Sequence, residues 1–290
     1  MKYIKFGGIK SEKSDIELGE FEKFLFEQGK RPNTVHDYSR HICNFHRWLV
    51  TEGSSIHDIT RYDIQQYINF LSIQGNQATT ITPKYSAIVA YMKFVGKEEL
   101  LNHINRPEVR HIRNISPKSL SKKQRNRLLR EVEKSQNLRN IAIVYTMLYT
   151  GVRVFELVGL NRDDVEMKEQ SGFIIIRDGK GGISRKIPLP AESRYHLQNY
   201  LQKRTDLEVP LFLSNFRKRL SKRSAQRIFE QYGIGAHMLR HTYGRELVAS
   251  GIDLATVADL MGHNDVNTTK RYAAPSMSDL EQAVEKIFNS

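Results

Sequence analysis

The sequence predicts a mostly α-helical protein of two domains, with a small antiparallel β-sheet in the second. Three observations carry this. In the first half, apolar residues recur every three or four positions, the period of one helix face. In the second half, an Ile-rich run, a glycine cluster and another apolar run interrupt such helices, the pattern of strand, tight turn, strand. Between the halves lies a polar, basic stretch bracketed by Pro107 and Pro117, as expected of a linker. A chain of 290 residues suits two domains of ordinary size. The expected division is a helical domain over 1–104, a linker over 105–117 and a mixed α+β domain over 118–290.

The elements follow in order. Phe21, Phe24 and Leu25 cluster on a first helix. Arg31-Pro32-Asn33-Thr34 breaks it, and Asn33 or Thr34 can cap the next. Val35, Tyr38, Ile42, Phe45, Trp48 and Leu49 then mark a strongly amphipathic helix. Ile64, Tyr67, Ile68 and Leu71 repeat the pattern, as do Ile88, Tyr91, Met92 and Val95. Beyond the linker, Ile141 to Thr150 reads as a buried helix closed by Gly151. Phe173 to Ile176 and Ile183 to Leu189 are the strands, joined through Asp178-Gly179-Lys180-Gly181-Gly182. Further helices begin near Ala191, Ser224, Met238 and Asp253.

Charge narrows the class of partner. The formal net charge is +13, with an excess of Lys and Arg in both halves, larger in the second. Such a balance attracts polyanions, nucleic acid first and an anionic membrane surface second. Cys43 is the only cysteine. It excludes an internal disulfide and a cysteine metal site, and it fits a reducing cytoplasm. The basic N-terminus has no apolar core, so it is not a secretory signal. No run approaches the roughly 18 apolar residues of a membrane span.

Six residues stand out chemically. Arg153 falls at a junction, just after the Gly151 helix stop and before a helix starting near Val154, with Glu156 three residues on. It reads either as a bidentate phosphate grip or as a structural Arg–Glu pair. Lys180, at the tip of the glycine-rich turn, is a surface lysine or a proton donor carried into a DNA groove. The stretch is no P-loop. His237 and Arg240 share one helix face, and Gly244 leaves that face uncrowded. The pair suits a phosphate site or a basic helix touching DNA. Asp253 can cap a helix that Gly262 ends, placing His263 at its exit. Asn267 or Thr268 can cap a short helix bearing Lys270, Arg271 and Tyr272. A lone tyrosine there is ordinarily a packing residue.

Taken together, Thr150-Gly-Val-Arg153, Gly179-Lys180-Gly, His237-x-x-Arg240, Gly262-His263 and Tyr272, in this order, resemble the tyrosine recombinases, or phage integrase family. The resemblance spans about Ser119 to Phe288. Arg31-Pro-Asn-Thr34-Val-x-x-Tyr38, with Phe45 and Trp48-Leu49, is similar to the family's helical core-binding domain. Two positions depart from the pattern: Phe155 stands where many relatives have a small residue, and Met261 where Leu is usual.

The resemblance implies a catalytic set of Arg153, Lys180, His237, Arg240, His263 and Tyr272. Tyr272 would attack a backbone phosphate and form a 3′-phosphotyrosyl link, which conserves bond energy so that no ATP is needed. Two guanidiniums would balance the charge of the transition state, so no metal or other cofactor is expected. Nearby cations should help the phenol, whose ordinary pKa is about 10, to lose its proton. Lys180 would protonate the leaving 5′-oxygen, and His237 and His263 would assist proton transfer. The implied partners are double-stranded DNA and a homotetramer on two paired sites, with room for an accessory protein or a second recombinase. The terminal segment with Leu280, Val284, Ile287 and Phe288 would pack on its own domain or dock into a neighbour.

Lys118, Lys122, Lys123, Arg125, Arg127 and Arg130, with no acid among them, and Arg223 with Arg227, are expected to meet phosphates. The length leaves little room for a further N-terminal arm-binding domain, which favours an Xer-like recombinase or a transposon resolvase. A type IB topoisomerase and a non-catalytic DNA-binding protein are the competing readings.

Overall fold

The computed structural model describes residues 18–108, 116–177, 184–263 and 265–275, together with 280, 281 and 284. The chain divides into two compact units, Met1–His111 and Ile112–Ser290.

The first unit is helical: α1 (Leu18–Glu27), α2 (Pro32–Thr51), α3 (Arg61–Ile73) and α4 (Ala78–Phe94), followed by a 3₁₀ turn at Glu98–Leu101. The start of α2 differs from the expectation. Pro32, not Asn33 or Thr34, opens the helix, with Arg31 preceding it and no side-chain cap. Proline at the first position lacks only an N–H that would be unpaired there, and its φ is already helical. Thr60 and Asp63 close α3 with a reciprocal capping box. The apolar stripes meet in one core containing Phe21, Phe45, Ile64 and Met92. Of the expected linker, 109–115 lie outside the described residues. Asn105 is tied to Gln65 of α3 by two hydrogen bonds.

The second unit is mixed. It contains α5 (Lys122–Lys134), α6 (Leu138–Thr150), α7 (Val154–Gly159), a 3₁₀ turn at Arg162–Asp164, β1 (Val165–Met167), β2 (Gly172–Ile176), β3 (Arg185–Pro188), α8 (Ala191–Gln202), α9 (Lys222–Glu230), α10 (Ala236–Ala249), α11 (Leu254–Met261) and α12 (Asn267–Lys270). Helix α6 is the centre: nearly all its side chains are buried, against α5, α8 and α10. The sheet has the order β1-β2-β3, antiparallel throughout, with Ile174 opposite Val165 and Ile187. Strand β1 is an addition to the sequence reading; three residues are too short to show a period. The turn containing Lys180 lies outside the described residues.

Near the C-terminus, α12 is a single turn. Asp265 rather than Asn267 or Thr268 holds its start, its carboxylate accepting from the Asn267 backbone N–H at 2.8 Å. Ser116 donates its backbone N–H to the Pro275 carbonyl. Leu280 and Val284 are helical and exposed, whereas Ile287 and Phe288 lie outside the described residues. No helix among the described residues is long and apolar enough to cross a membrane.

Candidate active site

Two helix ends frame the site. Helix α6 stops at Gly151 in the left-handed conformation, φ +60°, its N–H bonded to the Met147 carbonyl. Helix α11 stops at Gly262, φ +63°, with the Gly262 N–H on Asp259 and the His263 N–H on Ala258. That pair of bonds is a Schellman motif, and it favours glycine. Asp253 caps the other end of α11. These sequence signals fix where each stop falls, and therefore where the last carbonyls point.

The carbonyls at these ends hold two arginines. Arg240, on α10 and only 4% exposed, donates Nη1 to the Gly151 carbonyl and Nη2 to the Met261 carbonyl. Burial draws its guanidinium down to about 10, and the Arg153 charge adds to this; it is therefore still cationic at neutral pH. Arg153, at the start of α7, donates Nη2 to the Gly262 carbonyl at 3.0 Å and Nη1 to Glu156 at 3.0 Å. A guanidinium has five N–H donors, so each arginine keeps donors for a ligand. Met261, where Leu is usual, meets the site through a carbonyl that any residue supplies. Phe155 points to solvent.

Beneath them is a residue that the sequence reading missed. Arg185, at the start of β3, donates both Nη groups to the two oxygens of Glu156, at 3.0 and 2.9 Å, and its Nε to the Leu260 carbonyl. The signal was available: Arg185, Ile187 and Leu189 alternate, so a strand places a charge on its inner, apolar face. Glu156 also accepts the Arg153 backbone N–H at 2.7 Å. Burial opposes its ionisation, yet the bonds and charges of Arg185 and Arg153 win, and its pKa is lowered.

Gly262 completes this contact. A Cβ there would sit 2.7 Å from Arg185 Nη1. Gly262→Ala should lower the unfolding free energy by at least about 1–2 kcal/mol, the cost of the left-handed backbone alone, with a further loss from displaced Arg185. Urea denaturation measures it; a midpoint equal to wild type would mean that neither the backbone nor the guanidinium constrains this position.

Tyr272 lies just past α12 and is 4% exposed. It packs with Val257 and Met261. Gly244 is far from uncrowded: its missing side chain makes room for Met261 and for the Tyr272 ring, which a Cβ would meet at 3.0 Å. The His263 ring stacks on Tyr272, centroids 6.2 Å apart and planes 9° from parallel. Its Nδ1 is 2.8 Å from the buried Thr269 hydroxyl. The Tyr272 hydroxyl itself is 3.0 Å from Nδ1 of His241, a second residue that the sequence reading passed over. His241 follows Arg240 and lies one turn beyond His237 on α10, with the two rings 6.3 Å apart.

The electrostatics correct one expectation. Arg240, Arg271 and Arg153 all act to lower the Tyr272 pKa, but burial outweighs them and the phenol is raised. Burial also holds both imidazoles down to about 4, helped at His263 by Arg240 and at His241 by Arg271. At neutral pH the pocket therefore contains a protonated phenol between two neutral rings. Arg153, Arg240, His263 and Tyr272 come together, and His237 stands at the exposed edge. Lys180 lies outside the described residues.

The expected phosphate-contacting run is partly committed elsewhere. Arg125 pairs with Glu246, Arg127 with Glu131 and Arg223 with Glu230. Lys122, Lys123, Arg130 and Arg227 remain exposed on α5 and α9.

An all-helical unit, followed by a mixed unit in which two anchored arginines meet a buried tyrosine, is the arrangement that the integrase resemblance implies. Comparison with known families agrees: the phage integrase family matches residues 118–279 and the phage integrase N-terminal SAM-like domain matches 18–99. The chain belongs to the phage integrase family and is an Xer-like, site-specific tyrosine recombinase that cleaves and rejoins DNA. Tyrosine recombinase XerA of Pyrococcus furiosus is 32% identical over 278 residues, 93% of this chain and 93% of its own. Two solved structures share the fold. XerH bound to its difH substrate before cleavage has a TM-score of 0.67 at 20% identity, covering 93% of this chain and 84% of that one. A lambda integrase tetramer bound to a Holliday junction has a TM-score of 0.66 at 19% identity, covering 88% and 75%.

Proposed function

We propose that Tyr272 is the nucleophile of this recombinase and that Arg153 and Arg240 bind the phosphate it attacks. The observation that carries the assignment is the convergence of two guanidiniums, fixed by helix-end carbonyls, on the pocket of a buried tyrosine. On this reading the scissile phosphate docks on the free N–H groups of both arginines. Negative charge then builds on its non-bridging oxygens where those donors already stand, so little reorganisation is needed. The Tyr272 oxygen displaces the 5′-oxygen and leaves a 3′-phosphotyrosyl link. Lys180 protonates the departing oxygen. His263 positions the Tyr272 ring, and His237 assists at the open edge of the phosphate. A 5′-hydroxyl from a partner strand reverses the step.

Double-stranded DNA is the partner on this reading, in keeping with XerH bound to its difH substrate. The helical unit is assigned to core binding and the mixed unit to catalysis, joined through 105–117. Assembly as a homotetramer on two paired sites follows the lambda integrase precedent. The exposed Leu280 and Val284 support docking of the terminal segment into a neighbour.

The test is a nicked suicide duplex carrying the protein's own site, found by footprinting DNA beside its gene. Wild type should accumulate a covalent protein–DNA adduct and Tyr272→Phe none. An adduct with the phenylalanine variant would remove Tyr272 from the role.

A further inference from the structure

On the reading of Tyr272 as nucleophile, we infer that His241 is a further catalytic residue, the base whose Nδ1 takes the proton from the Tyr272 hydroxyl as that oxygen attacks phosphorus. The geometry is direct. The two atoms are 3.0 Å apart, within reach for proton transfer in a single step. His241 is placed from rigid helix α10, one residue after Arg240, so base and phosphate ligand share one frame. Neither His237 nor His263 makes this contact: His263 engages Thr269 through Nδ1 and meets Tyr272 as a stacked ring.

The need for a base comes from the site itself. Burial keeps the phenol protonated despite three nearby arginines. The groups facing His241 are His237 and Arg240 on its own helix and Arg271 with Tyr272 beyond α12. The cationic ones add to burial in keeping its ring neutral, so it is able to accept in the Nε2–H tautomer. The resulting imidazolium is high in energy in that company, and it forms only while negative charge gathers on the phosphate.

The step balances. The proton of Tyr272 passes to His241 Nδ1, the tyrosyl oxygen–phosphorus bond forms and the bond from phosphorus to the 5′-oxygen breaks. The 5′-oxygen takes its proton from the separate acid, Lys180 in the reading above. In rejoining, the 5′-hydroxyl attacks and returns a proton to that acid, while Tyr272 leaves and recovers its proton from His241.

A substrate with sulfur in place of the bridging 5′-oxygen tests this base apart from the acid, because a thiolate leaves without protonation. On that substrate His241→Ala should cleave about a hundredfold or more slowly than wild type at pH 7. Its rate should climb about tenfold per pH unit as solvent hydroxide replaces the base, whereas wild type stays level from pH 6 to 9. His241→Asn, whose amide oxygen can accept the hydroxyl hydrogen bond but not its proton, should restore the fold and DNA binding and keep the rising profile. A wild-type rate in His241→Ala, or a slow variant with the level wild-type profile, would overturn the role as base. Failure of the Tyr272 reading is a separate outcome, shown by an adduct with Tyr272→Phe.

Discussion

Arg240→Lys should reduce covalent cleavage of a suicide duplex by about a hundredfold or more, with the fold and DNA binding retained. Lysine keeps a positive charge but presents it at one point. The native guanidinium donates to the Gly151 and Met261 carbonyls and, on the proposed reading, gives its remaining N–H groups to the phosphate. An ammonium cannot span both carbonyls and still offer a planar pair of donors. Buried in the same place, it is also easier to deprotonate than arginine. Single-turnover cleavage measures the effect, with a gel shift and the unfolding midpoint as controls. A rate within tenfold of wild type would mean that charge alone, not the fork, is what the site requires.

Glu156→Ala should destabilise the second unit by about 3–5 kcal/mol, the range for breaking a buried ion pair from one side. The side chain is fully buried between Arg153 and Arg185 and accepts four hydrogen bonds. Removing it leaves two guanidiniums facing each other. The effect has a pH signature. The folded carboxylate titrates below its ordinary 4.5, so its contribution is present in full above that value and is lost as pH falls through the lower folded one. Wild-type stability should therefore decline on acidification below about 4.5, and Glu156→Gln should lack this share of the slope. Urea titrations from pH 3 to 7 measure both. Equal slopes would show that Glu156 does not titrate with unfolding.

Local signals explain what the sequence revealed. The stops at Gly151 and Gly262 and the Asp253 cap are each written within a few residues, and they place Arg153 and His263. Apolar spacing gives the long helices for the same reason. What stayed hidden depends on residues far apart. Arg125 reads as a free cation until Glu246, 121 positions on, neutralises it. The alternation with Ile187 and Leu189 puts Arg185 on the inner face of its strand, but its partner Glu156, 29 positions earlier, is seen only in the fold. His241 is obscured by its neighbours His237 and Arg240, because only the fold shows which imidazole meets the phenol. The raised phenol is hidden likewise: the arginines are visible in the sequence, but the burial that outweighs them is not.

The packing of Arg153, Arg185 and Arg240 around Glu156 also sets a charge count. Among the described residues, Glu156 is the one carboxylate hydrogen-bonded to any of these three guanidiniums. The cluster therefore carries an excess of two positive charges, softened only by the dipoles of the carbonyls at the ends of α6 and α11. A DNA phosphodiester brings one negative charge, and a tyrosyl oxygen attacking it brings the total close to two. On the proposed reading, the second negative charge gathers on the phosphate while the Tyr272 proton moves to His241, so the total charge of the site is unchanged and the new negative charge lies against the arginines. The arginine cluster is thus matched to the charge on the phosphorus centre at the reaction's summit rather than to DNA at rest.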